Sequence, residues 1–233
     1  MNRSFADTAA LLSDPGRAAI ALALIGGVAL PAGQLAMIAN VTPQTASSHL
    51  ARLVDGRLFT VEQQGRHRYY RIANAEVAHA IEALLAITPH PKHVVERVTR
   101  DEQMNGLSYA RSCYSHLAGE IAVRIVRKLQ DLRVLVAQEP RCYRVTRNGR
   151  LWFGQLGIDV SQRQASDPKF ARQCLDWTER RHHLAGPLGS ALFGRFRELK
   201  WVAPVRHSRA VRITVEGQFK LQRLFGSDLG GKR

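Results

Sequence analysis

The sequence predicts a mainly α protein with small β-hairpins, an α+β fold made of several short units. Three observations carry this expectation. A capped helix over 42–55 has one apolar and one polar side, and a basic hairpin follows it. Residues 109–157 and 176–226 repeat one order of helix, hairpin and helix. Elsewhere apolar residues recur at the helical period, interrupted by short alternating stretches bounded by turn residues.

Ala6–Ser13 reads as a first helix and Asp14–Ile25 as a second, with Asp14-Pro15 as the start signal. The apolar run Ala18–Leu30 is shorter than the roughly 20 residues a membrane span needs. It is expected to be a buried helix ending at Gly26-Gly27, with Val28-Ala29-Leu30 leading into the next helix, and no membrane-spanning or targeting segment is expected. Gln34–Ala39 is a short helix, Asn40-Val41 a break, and Thr42–Asp55 the next helix. Thr42 suits the N-cap, because its hydroxyl can accept from a first-turn N–H, and Pro43 suits the first helical position. Ala46, Leu50, Leu53 and Val54 share one side. Gln44, Ser48, Ala51, Arg52 and Asp55 lie opposite, with Thr45, Ser47 and His49 at the edges. A short polar face of this kind suits the major groove of DNA, where amides, hydroxyls and guanidinium groups read base edges or hold phosphates.

Gly56 is expected to end this helix in the left-handed conformation. Leu58–Gln64 and Arg68–Ile72 alternate as two strands around a Gly65-Arg66-His67 turn. The expected DNA contacts are Thr42, Gln44, Thr45, Ser47, Ser48, His49 and Arg52 on the helix, and Arg66, His67 and Arg68 at the hairpin tip. Glu76–Ile87 is a further helix, apolar at Val77, Ala80, Ile81, Leu84 and Leu85.

Leu12-Ser13-Asp14-Pro15-Gly16-Arg17, Ser47-Ser48-His49-Leu50-Ala51-Arg52-Leu53 and Gly65-Arg66-His67-Arg68-Tyr69-Tyr70-Arg71 together resemble the winged helix-turn-helix of the ArsR/SmtB family, over residues 5–87. The resemblance implies a homodimer on a palindromic operator of double-stranded DNA, released by an effector that is often a metal ion. It makes Ala6–Ser13 and Glu76–Ile87 candidates for dimer pairing, against packing within one protomer. One departure is Ser48, where many members carry Arg or Lys. The family's metal sites are poorly matched. Pro31, Ala32 and Gly33 stand where one needs thiols. His79, His90 and His93 keep the spacing of the other, but Val77 and His93 replace its carboxylates, and Pro89 and Pro91 interrupt its helix.

Thr88-Pro89-His90-Pro91-Lys92 opens a linker over 88–108 that includes a charged, helical Glu96–Met104. Beyond it, His116-Leu117-Ala118-Gly119 recurs as His183-Leu184-Ala185-Gly186. Each copy precedes a helix (Glu120–Leu132, Pro187–Leu199), a strand start, a basic hairpin, and then Tyr143-Arg144-Val145-Thr146 or Val211-Arg212-Ile213-Thr214. The offset is 67 residues at the first element and 68 at the last. Residues 109–233 are therefore expected to form a module of two winged-helix-like repeats, joined by an exposed Ile158–Phe170 connection. Neither repeat has a helix as polar as Thr42–Asp55, so neither is expected to read DNA.

The 233 residues carry a net charge of +15, which favours polyanionic partners without specifying a fold. Residues 1–87 hold 7 basic and 6 acidic side chains, so the excess lies almost wholly in the C-terminal part. That part either adds phosphate contacts, binds an acidic ligand, or presents a solvated basic surface. Cys113, Cys142 and Cys174 are odd in number and widely spaced, which argues for a reducing, cytoplasmic compartment over a disulfide framework.

Cys113 and His116 lie three apart on an expected helix and would share a face. Cys174, Asp176, His182 and His183 surround Trp177 just before the second repeat. The effector candidates are thus Cys113, His116, Cys174, Asp176, Trp177 and His183. Three readings stand: buried thiols with histidines paired near turns; a metal or thiol-redox site; or an organic ligand lined by Trp152, Trp177 and Arg180 or Arg181. No phosphate loop, nucleophile elbow or metalloprotease motif suggests an enzyme. The sequence therefore reads as a cytoplasmic, homodimeric, sequence-specific transcriptional repressor with a C-terminal effector module. The competing reading is a non-catalytic interaction module of stacked winged-helix units.

Overall fold

A computed structural model describes residues 4–88, 102–113, 115–206 and 208–226. The chain divides into two compact units, Met1–Met104 with Arg206–Arg209, and Asn105–Val205 with Ala210–Arg233. His90 and His93, and most of the segment 96–104, lie outside the described residues.

In the first unit the helices are α1 (Phe5–Leu12), α2 (Pro15–Ala23), α3 (Ala32–Ala39), α4 (Pro43–Asp55) and α5 (Ala75–Ile87). Strands β1 (Leu30–Pro31), β2 (Phe59–Gln64) and β3 (His67–Ile72) form an antiparallel sheet in the order β1-β3-β2. β1 departs from expectation. Leu30 and Pro31 pair with Tyr70 and Tyr69, giving the hairpin a third strand just before α3. Asp14 caps α2 by accepting from Arg17 N at 2.9 Å, and Pro15 follows at the first position. Ile20, Leu24, Leu35, Ala46, Leu50 and Leu53 are completely buried and hold α2, α3 and α4 together.

The end of α4 corrects the expectation for Gly56. Gly56 keeps a right-handed φ of −72°, and Arg57 takes the left-handed turn at φ 59°. A Cβ at this position would press on Leu11 Cδ1 of α1, so the end of α4 lies close against that helix.

The second unit contains α6 (Glu102–Tyr109), apart from its first three residues, and two copies of one arrangement. The first copy runs β4 (Arg111–Cys113), β5 (His116–Ala118), α7 (Glu120–Asp131), β6 (Leu135–Gln138), β7 (Cys142–Val145) and α8 (Arg147–Gln155). A short helix α9 (Gln162–Ser166) follows. The second copy runs β8 (Arg172–Leu175), β9 (His182–Ala185), α10 (Gly186–Glu198), β10 (Val202–Pro204), β11 (Val211–Ile213) and α11 (Val215–Phe225).

Two expectations are overturned here. Cys113 and His116 are not on a helix; they face each other across the β4–β5 hairpin. Ile158–Phe170 is not an exposed connection either, because Ile158, Val160, Ala165 and Phe170 are buried in the core of this unit. Apolar residues spaced too irregularly for a helix or strand still pack when the chain crosses a core.

The two copies share details that fix their geometry. Thr146 caps α8 by accepting from Gly149 N at 2.9 Å while its hydroxyl donates to Arg133 O at 2.6 Å. Thr214 caps α11 in the same way, accepting from Gly217 N at 2.9 Å and donating to Lys200 O at 2.7 Å. At Gly149 and Gly217 a Cβ would collide with the carbonyl oxygens of Val134 and Trp201, so each helix packs directly on the backbone that leads into β6 or β10. The copies also pair with each other. β8 of the second pairs with β7 of the first at Arg172↔Cys142, and Arg111 of the first bridges to Ala210 of the second.

Candidate functional site

In the first unit, α4 owes its polar face to the pattern that buries Ala46, Leu50 and Leu53 against α2 and α3. Gln44, Thr45, Ser47, Ser48, Ala51 and Arg52 are exposed. Thr42 accepts from Thr45 N at 3.2 Å, and the two hydroxyls lie 2.9 Å apart, so the first turn of α4 is fixed. Arg66, His67 and Arg68 are exposed at the end of the β2–β3 hairpin, where Gly65 supplies φ 61° for the turn. Along its edge Arg71 pairs with Glu62 at 3.3 Å. Guanidinium groups at the tip and hydroxyls and an amide on the helix are the groups that hold phosphates and read base edges.

His49 differs from its neighbours. Its side chain is 13% exposed, and Nε2 lies 3.4 Å from Asp14 Oδ1. That places it between α4 and the start of α2, where it ties the helix to its support instead of standing with the outer face. Hydrogen-bonding to the Arg17 N–H, aided by the nearby His49 and Arg17 charges, holds the Asp14 carboxyl below the usual carboxylate range.

In the second unit the effector candidates gather in one buried cluster. Cys113 and His116 are cross-strand partners in one hairpin, and Cys174 and His183 are partners in the other. His116 Nε2 and His183 Nε2 lie 3.1 Å apart. His183 Nδ1 is 3.3 Å from Asp176 Oδ2. Asp176 is fully buried and accepts from Gly119 N at 2.7 Å, from Thr178 N at 3.0 Å and from the Thr178 hydroxyl at 2.7 Å. The Arg111 guanidinium reaches both Asp176 oxygens at 3.0 Å and lies over the Trp177 ring, 4.8 Å from its centre. Burial alone would raise the Asp176 carboxyl, but the His183 hydrogen bond and the Arg111 charge outweigh it and keep the group ionised. Burial disfavours the charged His183 imidazole, whereas hydrogen bonds to Asp176 and Cys113 favour it, and the net direction is upward.

His182, beside this cluster, is half-buried and its imidazole is shifted down by burial and by Arg141. Trp152 has a different setting, packed on Phe153 and Phe225. Arg111 is the residue that sequence reasoning missed. The signal was available: Ala110-Arg111-Ser112-Cys113 recurs as Ala171-Arg172-Gln173-Cys174, at an offset of 61 because the second hairpin loop is six residues longer.

No protein-family model matches the chain. Over 223 residues the chain is 43% identical to the uncharacterized HTH-type transcriptional regulator YdfF of Bacillus subtilis (strain 168), across 96% of this chain and 97% of that protein. It is 34% identical over 95 residues to the HTH-type transcriptional regulator CmtR of Mycobacterium tuberculosis (strain ATCC 25618 / H37Rv), across 39% of this chain and 80% of CmtR. Among solved structures, it is similar to the homodimeric winged helix-turn-helix DNA-binding domain (fragment 1–100) of a possible ArsR-family transcriptional regulator from Mycobacterium bovis. That match has 25% identity and a TM-score of 0.34, over 39% of this chain and 82% of the fragment.

Proposed function

The chain belongs to the winged helix-turn-helix transcriptional regulators of ArsR type, and from that premise we propose that it is a homodimeric repressor whose operator affinity is set by an effector in the second unit. The observation that carries this reading is the exposed polar face of α4, held in place by Ala46, Leu50 and Leu53 and flanked by the basic end of the β2–β3 hairpin. Gln44, Thr45, Ser47, Ser48 and Arg52 enter the major groove, and Arg66, His67 and Arg68 hold phosphate or the minor groove beside it. Thr42 fixes the helix start.

A second copy of the chain supplies the other half-site. Exposed apolar side chains on the two flanking helices favour pairing there: Phe5 on α1 is 90% exposed, and Ile87 on α5 is 73% exposed. Pairing through these helices would take both side chains out of water. A palindromic operator follows from the two-fold symmetry of such a dimer. Release requires an effector that binds the DNA-incompetent state more tightly than the competent one. Among the described residues no helix is long and apolar enough to cross a membrane.

The test is selection of bound duplexes from a randomised pool by the full chain, followed by gel-shift titration of the Gln44→Ala variant. A palindromic consensus, with preference relaxed at one position per half-site in the variant, supports the reading. Equal loss across unrelated duplexes would show that Gln44 reads no base. Failure to enrich any sequence would refute sequence-specific regulation.

A further inference from the structure

Each repeat of the second unit opens with the same hairpin, and the two hairpins meet at their histidines. Cys113 opposes His116 and Cys174 opposes His183, and directly opposed residues of an antiparallel pair project to one face. The relation is that of equivalent positions: in both copies Ala-Arg-x-Cys ends on the cysteine and His-Leu-Ala-Gly begins with the histidine. The thiol and imidazole donor atoms of all four side chains lie within 4.8 Å of one another. Cys113, His116 and His183 are buried and Cys174 is partly so.

We propose that Cys113, His116, Cys174 and His183 form a four-ligand site for a thiophilic divalent cation of the zinc class, one thiolate and one imidazole coming from each repeat. The spacing suits a tetrahedral ion. Metal–nitrogen bonds of about 2.0–2.1 Å set two imidazole nitrogens about 3.3 Å apart, close to the 3.1 Å between His116 Nε2 and His183 Nε2. The charge also balances. Two thiolates and two neutral imidazoles around a divalent ion make a neutral centre, the form a buried site tolerates. Asp176 Oδ2 stands 3.3 Å from His183 Nδ1, the place of a carboxylate behind a ligating histidine, where it would favour the tautomer that leaves Nε2 as the donor to metal. Its own charge is matched by Arg111 at 3.0 Å. Thiolate and imidazole ligands select zinc, cadmium or cobalt over magnesium and calcium, which take oxygen. With all four positions filled by protein, the ion clamps the two repeats together and offers no open position for catalysis. Only the consequence for DNA rests on the effector reading above; the site stands without it.

The test uses the full chain, purified with chelator and then titrated with Co²⁺ and with Zn²⁺. One Co²⁺ per chain is expected, with the strong visible bands of a tetrahedral ion and thiolate-to-cobalt charge transfer, both displaced by Zn²⁺. Cys113→Ser and Cys174→Ser should each lose part of the charge transfer and bind at least about tenfold more weakly, the size of effect seen even when groups behind the ligands are removed. X-ray absorption on the zinc-loaded wild-type protein, which needs no variant to fold, should give two sulfur and two nitrogen neighbours. A pale octahedral Co²⁺ spectrum, a shell without sulfur, or unchanged binding in both variants would overturn the site. Operator affinity is measured separately. Metal bound as described with operator affinity unchanged would refute the effector reading and leave the site in place.

Discussion

His116 and His183 face each other at 3.1 Å, Nε2 to Nε2, although they are 67 residues apart and belong to different repeats. Asp176 sits behind His183, 3.3 Å from its Nδ1, and is paired with Arg111 from the opposite repeat. Asp176→Asn leaves the Arg111 guanidinium buried without its counter-charge. Breaking one side of a buried pair costs about 3–5 kcal/mol, so urea unfolding followed by circular dichroism should show a large drop in stability. A loss under about 1 kcal/mol would mean that water reaches the pair.

Arg68 and Gln44 should differ in kind. Arg68→Ala should weaken all duplexes alike and lower the magnitude of the salt slope of binding by about 0.9 for each phosphate that the guanidinium had neutralised. Gln44→Ala should instead cost about 1–3 kcal/mol at its own base pair if its amide bonds the base edge bidentately. Gel shifts at two salt concentrations on specific and scrambled duplexes separate the two.

The basic C-terminal part makes a further expectation about salt. Contact between its cations and phosphate would make the full chain's log–log slope steeper than that of Arg144→Gln/Arg147→Gln/Arg150→Gln chains, which lack three cations of the first repeat. Identical slopes would show that these three arginines touch no phosphate.

Thr146 and Thr214 test the repeat itself. Each hydroxyl closes its helix start and holds the turn before the preceding strand, so Thr146→Ala and Thr214→Ala should each cost about 0.5–2 kcal/mol. Gly149→Ala and Gly217→Ala should cost more, because the added Cβ meets backbone carbonyls of Val134 and Trp201 that no side-chain rotation can move. Denaturant titration of the four variants gives the order.

Asp14 carries a pH dependence. Its folded carboxyl is held low by the Arg17 N–H, His49 and the Arg17 charge, so its contribution is present above the ordinary carboxylate range. It fades as pH falls through the lowered value. Asp14→Ala should therefore lose about 0.5–2 kcal/mol at neutral pH, with the gap to wild type narrowing under acid conditions. Urea titrations of both proteins at neutral and acid pH check this.

Much of the first unit was legible in the residues themselves. Thr42, Pro43 and the Ala46/Leu50/Leu53 stripe fix a helix by local chemistry and period, and the Gly65 turn fixes the hairpin after it. The same holds for Thr146 and Thr214, whose capping partners lie three residues away. Short-range rules suffice where both partners sit within one turn.

The cluster of Cys113, His116, Cys174 and His183 needed the tertiary structure. The chain order named its members, but a spacing of three fits a helix face as readily as the two sides of a tight hairpin. Only the pairing of β4 with β5 and of β8 with β9 decided between them. The pairing of Arg111 with Asp176 and the turning of His49 toward Asp14 are decided the same way, since each joins residues more than thirty positions apart. Local sequence determines capped, periodic elements such as α4 and which of their faces is polar; which distant side chains share a buried space is settled by how the elements pack, and no local pattern encodes that.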